Sequence, residues 1–133
     1  MIRNANKDDC LNLAALSIHV WLDTYAPDGI RTEIAKFALT TFTPDYFLNI
    51  LNDEKYRTRV YMQDNHLIGY AVVNLESHHV DESNGFEVDT LYIQPQFKGK
   101  GLGKALLNDI GQQFGHKYWL TTWVNNENAI SFY

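Results

Sequence analysis

Apolar residues in the first part of the chain recur at helical spacing. In "CLNLAALSIHVWLDTY" Leu11, Ala14, Ala15, Ile18, Leu22 and Tyr25 fall three or four apart, which predicts an amphipathic helix with Asp8 and Asp9 as its N-cap. "APDG" (Ala26 to Gly29) breaks it, and a second helical segment follows around Thr32 to Leu39. "TPDYFLNILND" predicts a third, short helix, with Thr43 as N-cap and Pro44 at the first helical position. The period then changes to two. "RTRVYMQ" (Arg57 to Gln63) and "LIGYAVVNLE" (Leu67 to Glu76) flank the polar turn "DNH" and predict a β-hairpin. "SHHVDESNG" reads as a loop. "FEVDTLYI" (Phe86 to Ile93) alternates, with Glu87, Asp89, Leu91 and Ile93 on one face and Phe86, Val88, Thr90 and Tyr92 on the other. After a glycine-rich segment, Leu102, Leu106, Ile110 and Phe114 fall at four-residue steps, predicting a helix that Gly115 stops. "YWLTTWV" (Tyr118 to Val124) reads as a strand and "NNENAISFY" as the start of a last helix.

The order is strand, helices, three strands, helix, strand, helix. A late strand–helix–strand passage needs a crossover, so those two strands are expected to be parallel within a mixed sheet. The fold class is α/β (α+β). At 133 residues the chain is expected to form one domain, residues 1–133. Hydrophobic residues at 45% and charged residues at 20% are the composition of a globular protein, not a disordered one. The net charge of −5 argues against nucleic acid as partner, because phosphate neutralisation needs a basic surface. No apolar stretch approaches the roughly 20 residues needed to cross a bilayer. The N-terminus "MIRNANKDDC" lacks a signal peptide's apolar segment, and the lone Cys10 suits a reducing compartment. A cytoplasmic protein with no membrane partner is expected.

One segment carries chemistry. "LYIQPQFKGKGLGKALL" (Leu91 to Leu107) places Pro95, Gly99, Gly101 and Gly103 among Lys98, Lys100 and Lys104, at the join of a strand and a helix. A helix N-terminus leaves main-chain N–H groups unpaired and partly positive, so it attracts anions. Glycines there let a phosphate approach the backbone itself. A simple flexible connection explains one such glycine less well when three alternate with lysines. Rossmann spacing does not fit, because only Leu102 separates Gly101 from Gly103, and a Walker loop's Gly-Lys-Ser/Thr is absent.

The pattern that does fit is Gln/Arg-x-x-Gly-x-Gly/Ala, present as Gln96-Phe97-Lys98-Gly99-Lys100-Gly101. It resembles the acetyl-CoA signature of the GNAT N-acetyltransferase superfamily. "NNENAISFY" is similar to a second block of that family, with Asn126, Ala129, Phe132 and Tyr133 in place. The resemblance implies a mostly antiparallel sheet with splayed central parallel strands, flanking helices, and acetyl-CoA as co-substrate with no metal. It implies that main-chain N–H groups of Lys98, Gly99, Lys100, Gly101, Leu102, Gly103 and Lys104 bind the CoA pyrophosphate. Backbone groups of Leu91, Tyr92 and Ile93 would hold the pantetheine arm and polarise the thioester carbonyl, and Asn126 would hydrogen-bond the arm. The acceptor implied is a primary amine of a small molecule or peptide. Glu87 stands where relatives carry a general base, with Asp89 as substitute, and Tyr133 would protonate the departing thiolate. For Glu87 and Asp89 the alternative is an exposed strand face; for Tyr133 it is a packing aromatic.

Other signals are weaker. His78, His79, Asp81 and Glu82 cluster in "SHHVDE", but adjacent loop histidines need further ligands to hold an ion, and a solvated loop is the expectation. Trp21 and Tyr25, one helical turn apart, are candidates for the acceptor pocket or for core. Asp23 and Asp28 are either attractors of a cationic acceptor or surface acids. The chain ends at Tyr133, where relatives continue the helix and add two strands. A shortened chain, a homodimer pairing through the open C-terminal sheet edge, and a non-catalytic acyl-CoA-binding or interaction module are the alternatives this raises.

Overall fold

A computed structural model describes residues 1–76 and 85–120 of the chain. Nine elements follow in order: β1 (Ile2–Asn4), α1 (Cys10–Tyr25), α2 (Thr32–Thr41), α3 (Pro44–Leu51), β2 (Tyr56–Gln63), β3 (His66–Asn74), β4 (Phe86–Ile93), α4 (Leu102–Phe114) and β5 (Tyr118–Leu120). The strands form one sheet in the order β1-β2-β3-β4-β5. The first three neighbouring pairs are antiparallel, and β5 lies parallel to β4 after the α4 crossover. The expected mixed, mostly antiparallel sheet is the one observed.

Local chemistry accounts for most of the boundaries. Asp64 (φ 51°) and Asn65 (φ 66°) form the tight turn between β2 and β3, a backbone that Asn and Asp tolerate. Thr43 caps α3 by accepting a hydrogen bond from the Tyr46 N–H at 3.2 Å, with Pro44 inside the first turn. Gly115 ends α4 at φ 114°, its N–H donating to the Gly111 carbonyl at 3.0 Å.

Asp9 stands at the N-cap position of α1, as expected, but its side chain makes no cap hydrogen bond to that helix. It closes a box at the preceding 3-10 turn (Lys7–Asp9) instead: the Asn6 side chain accepts from the Asp8 N–H, and Asp9 accepts from the Asn6 N–H at 2.8 Å. Asp9 also takes both arms of the Arg3 guanidinium at 2.8 and 2.9 Å, tying β1 to the helix start. The buried stripe of α1 is likewise rotated. Cys10, Leu13, Ala14, Ser17 and Val20 are buried, whereas Leu11 and Ala15 are exposed. A helix apolar on most sides offers several stripes, and the sheet selects among them by packing.

Two clusters cover the two faces of the sheet. On one, Leu13, Val20, Phe42 and Phe47 from α1 to α3 pack on Val60, Tyr70 and Val72. On the other, Ile110 of α4 packs on Ala71, Val73, Phe86 and Val88. Helix α4 is further fixed by a pair in which Arg59 of β2 donates to both carboxylate oxygens of Asp109, at 2.7 and 2.9 Å, and to the Asn4 side chain at 2.8 Å.

Strand β4 does not keep the alternation read from the sequence. Its register against β3 runs Ile93 to Gly69, Tyr92 to Tyr70, Leu91 to Ala71 and Thr90 to Val72, then skips Asp89 and resumes with Val88 opposite Val73. This bulge at Asp89 shifts the facing by one residue. Phe86, Val88 and Leu91 therefore share the α4 face, while Thr90 and Tyr92 turn to the side of α1 to α3. The expected set of Glu87, Asp89, Leu91 and Ile93 on one face is corrected accordingly.

Candidate active site

The end of β4 leads into the glycine-rich segment. A short 3-10 turn at Pro95–Phe97 is followed by Gly99 at φ 79° and Gly101 at φ 80°, both left-handed. An added Cβ at either glycine would meet no atom within 4 Å, so the space above both is open. Helix α4 starts at Leu102 with no side-chain cap, and its first bridging bond is from the Ala105 N–H to the Gly101 carbonyl at 3.0 Å. The N–H groups of Leu102, Gly103 and Lys104 thus precede the helix's own acceptors and stay free of intrahelical partners. Left-handed glycines beside an uncapped helix start make a concave, partly positive main-chain surface. The residues present therefore fit a diphosphate.

Side chains add less to the cradle than the count of lysines suggests. Lys98 Nζ lies 3.5 Å from Asp23 of α1, both exposed, and Lys100 Nζ sits 5.6 Å from the Phe97 ring centre. Lys104 and Gln96 are exposed. An exposed pair such as Lys98–Asp23 is worth under about 1 kcal/mol, so it yields readily to a better anion.

Alongside the cradle, β5 pairs with β4 through Tyr118, Trp119 and Leu120 opposite Phe86, Glu87 and Val88, as far as the described residues extend. Asp89 stands at the bulge of β4, and its carboxyl is raised from the ordinary value by thinned hydration against the protein wall and then by the charge of Glu87; a hydrogen bond from Thr90 Oγ1 at 3.2 Å works the other way. The side chain nonetheless keeps solvent access, so a proton taken there reaches water.

On the α1 to α3 side of β4 lies a cavity of about 180 Å³. Trp21, Phe37, Phe42, Tyr46 and Tyr92 form its aromatic wall, and Thr90 joins it to Asp89. Trp21 stacks on Phe37 with ring centres 4.4 Å apart, and Tyr46 meets Phe42 edge-on at 6.2 Å. Burial, with smaller contributions from Tyr25, Tyr46 and Asp89, pushes the Tyr92 hydroxyl up to about 12, so it remains a neutral donor near pH 7. Tyr70 at the back is fixed by a buried 2.6 Å hydrogen bond with Ser17 of α1.

Of the residues expected to act, Leu91, Tyr92, Ile93 and the Gln96 to Lys104 segment lie at and beyond the end of β4, Asp89 lies at its bulge, and Glu87 lies near its start. Trp21 lines the cavity; Tyr25 meets Trp21 at a tilt, ring centres 4.0 Å apart, without being one of the lining residues. Asn126 and Tyr133, the C-terminal sheet edge and the histidine pair of "SHHVDE" lie outside the described residues. Among the described residues, no three His, Cys, Asp or Glu side chains group together as metal ligands do, and no helix is long and apolar enough to cross a membrane. Sequence reasoning missed Phe37, Phe42, Tyr46 and the inward ring of Tyr92. The density of aromatics between Phe37 and Phe47 was the available signal.

Comparison with known proteins agrees with this geometry. The family model described as "Acetyltransferase (GNAT) family" matches residues 17–133. An uncharacterized N-acetyltransferase in the pepI 3' region of Lactobacillus delbrueckii subsp. lactis is 26% identical over 152 residues, covering 99% of this chain and 80% of that protein. The PaiA N-acetyltransferase of Thermoplasma acidophilum, solved in complex with coenzyme A, superposes with a TM-score of 0.84 at 22% identity, covering 100% of this chain and 85% of its own. The ribosomal-protein-alanine N-acetyltransferase of Brucella melitensis biovar Abortus 2308 gives a TM-score of 0.69 at 20% identity, covering 100% and 86%. With the match extending over most of its length, the chain belongs to the GNAT acetyltransferase family.

Proposed function

We propose that the protein transfers the acetyl group of acetyl-CoA to a primary amine. One observation carries the reading: an uncapped helix start beneath two left-handed glycines, directly after β4. Acetyl-CoA supplies the acyl group as a thioester. In this reading the Leu102, Gly103 and Lys104 N–H groups hold the diphosphate, with Lys98 released from Asp23 to join them. Main-chain groups of Leu91 to Ile93 hold the arm and orient the thioester carbonyl toward the cavity side.

The acceptor enters as an ammonium and must lose a proton before it attacks. Asp89 takes that proton, directly or through water, and its raised carboxyl makes it a stronger base than an ordinary aspartate. Glu87 tunes it by charge. A C–N bond then forms at the carbonyl carbon, the C–S bond breaks, and the leaving thiolate takes a proton, the role the family resemblance gives to Tyr133. Residues 1–133 act as one catalytic domain in the cytosol. Release of free thiol from acetyl-CoA across a panel of amines tests the reading. Amine-dependent release that falls in Asp89→Asn is expected; binding of acetyl-CoA with no release for any amine would leave the binding-module alternative.

A further inference from the structure

The aromatic cavity beside Asp89 narrows the acceptor, an inference that rests on the transferase reading. Its volume of about 180 Å³ slightly exceeds the roughly 150 Å³ of an apolar cavity that takes up benzene. Its wall is made of rings, with Trp21 and Phe37 stacked as one surface. Among the described residues no carboxylate lines it, and Asp89 adjoins it through Thr90. The described wall thus offers an uncharged interior, with its counter-charge on β4. A second ammonium pushed inside would lose hydration without an anion to meet it.

We infer that the acceptor substrate is an arylalkyl primary amine: its ring fills the cavity between Trp21, Phe37 and Tyr92, and its amine faces Asp89. Trp21 and Phe37, the stacked wall, are then specificity-determining residues, and linear polyamines are poor substrates.

The test compares phenethylamine, butylamine and spermidine, by thiol release and by calorimetric binding to protein saturated with CoA. The expected order of kcat/KM is phenethylamine, then butylamine, then spermidine. In Phe37→Leu, which removes the ring stacked on Trp21, the preference for phenethylamine over butylamine shrinks about 5- to 10-fold, the value of one aromatic contact. Thermal unfolding of the variant checks its fold. A preference for spermidine, or a phenethylamine preference untouched in Phe37→Leu, overturns the inference while leaving the transferase reading intact. Aryl amines that bind the CoA-saturated protein without being acetylated support the cavity's specificity and contradict the transferase reading. No binding and no turnover of any of the three contradicts both.

Discussion

Asp89 joins two features. It is the residue skipped in the β3–β4 register, and it borders the aromatic cavity through Thr90. Its carboxyl titrates above the ordinary value of 3.8, and only the ionised form can take a proton. Activity should therefore fall as pH drops through that raised value. In Asp89→Asn a loss of about 10²-fold in kcat/KM is expected, together with the acid limb of the pH profile. Glu87→Gln removes the second cause of the rise, so the limb should move to lower pH; if the limb vanishes instead, Glu87 is the base. Asp9 behaves oppositely. The Arg3 guanidinium, aided by the Asn6 N–H, holds its carboxyl below 3.8. That contribution is present above the unfolded pKa and is lost as pH falls through the folded one. Asp9→Asn should be less stable by about 2 kcal/mol at neutral pH, a gap that urea titrations should find closing in strong acid.

At the scale of elements, α4 carries the proposed anion site and must be held in place. The Arg59–Asp109 pair is nearly buried, with side-chain exposures of 9% and 13%, and it joins the helix to β2. Removing one partner leaves the other charged and unmatched, so Asp109→Leu should lower unfolding free energy by about 3 kcal/mol in denaturant melts. Gly101 does different work. At φ 80° a side chain is strained, and the open space that a Cβ would enter is the space a phosphate needs. Gly101→Val is expected to lower stability by about 1–2 kcal/mol and to weaken acetyl-CoA binding further than that loss explains. Both α4 and its glycine approach were legible in the sequence, because four-residue apolar steps and left-handed glycines are local signals. The bulge in β4 was not. A one-residue slip leaves no mark in an alternating string such as "FEVDTLYI", and it reassigned the facing of Thr90, Leu91 and Tyr92.

At the scale of the molecule, the sheet divides the work between its faces. Helix α4 on one side supplies the anion site, and α1 to α3 on the other supply the aromatic cavity. The strand that separates them, β4, reaches both. The anion site is contiguous in sequence, which is why a motif could reveal it. The cavity draws Trp21, Phe37, Tyr46 and Tyr92 from four elements, so nothing short of the fold brings them together. Of these only Trp21 stood out in the sequence, as a candidate for acceptor pocket or for core. The central claim is that the cradle beneath Gly99 and Gly101 binds acetyl-CoA by its diphosphate. Calorimetric titration of acetyl-CoA into the wild-type chain and into folded Gly101→Val measures this directly. One-site binding that weakens at least about tenfold in the variant is the expected result; equal affinity in both proteins, or no binding by the wild type at millimolar ligand, would contradict it.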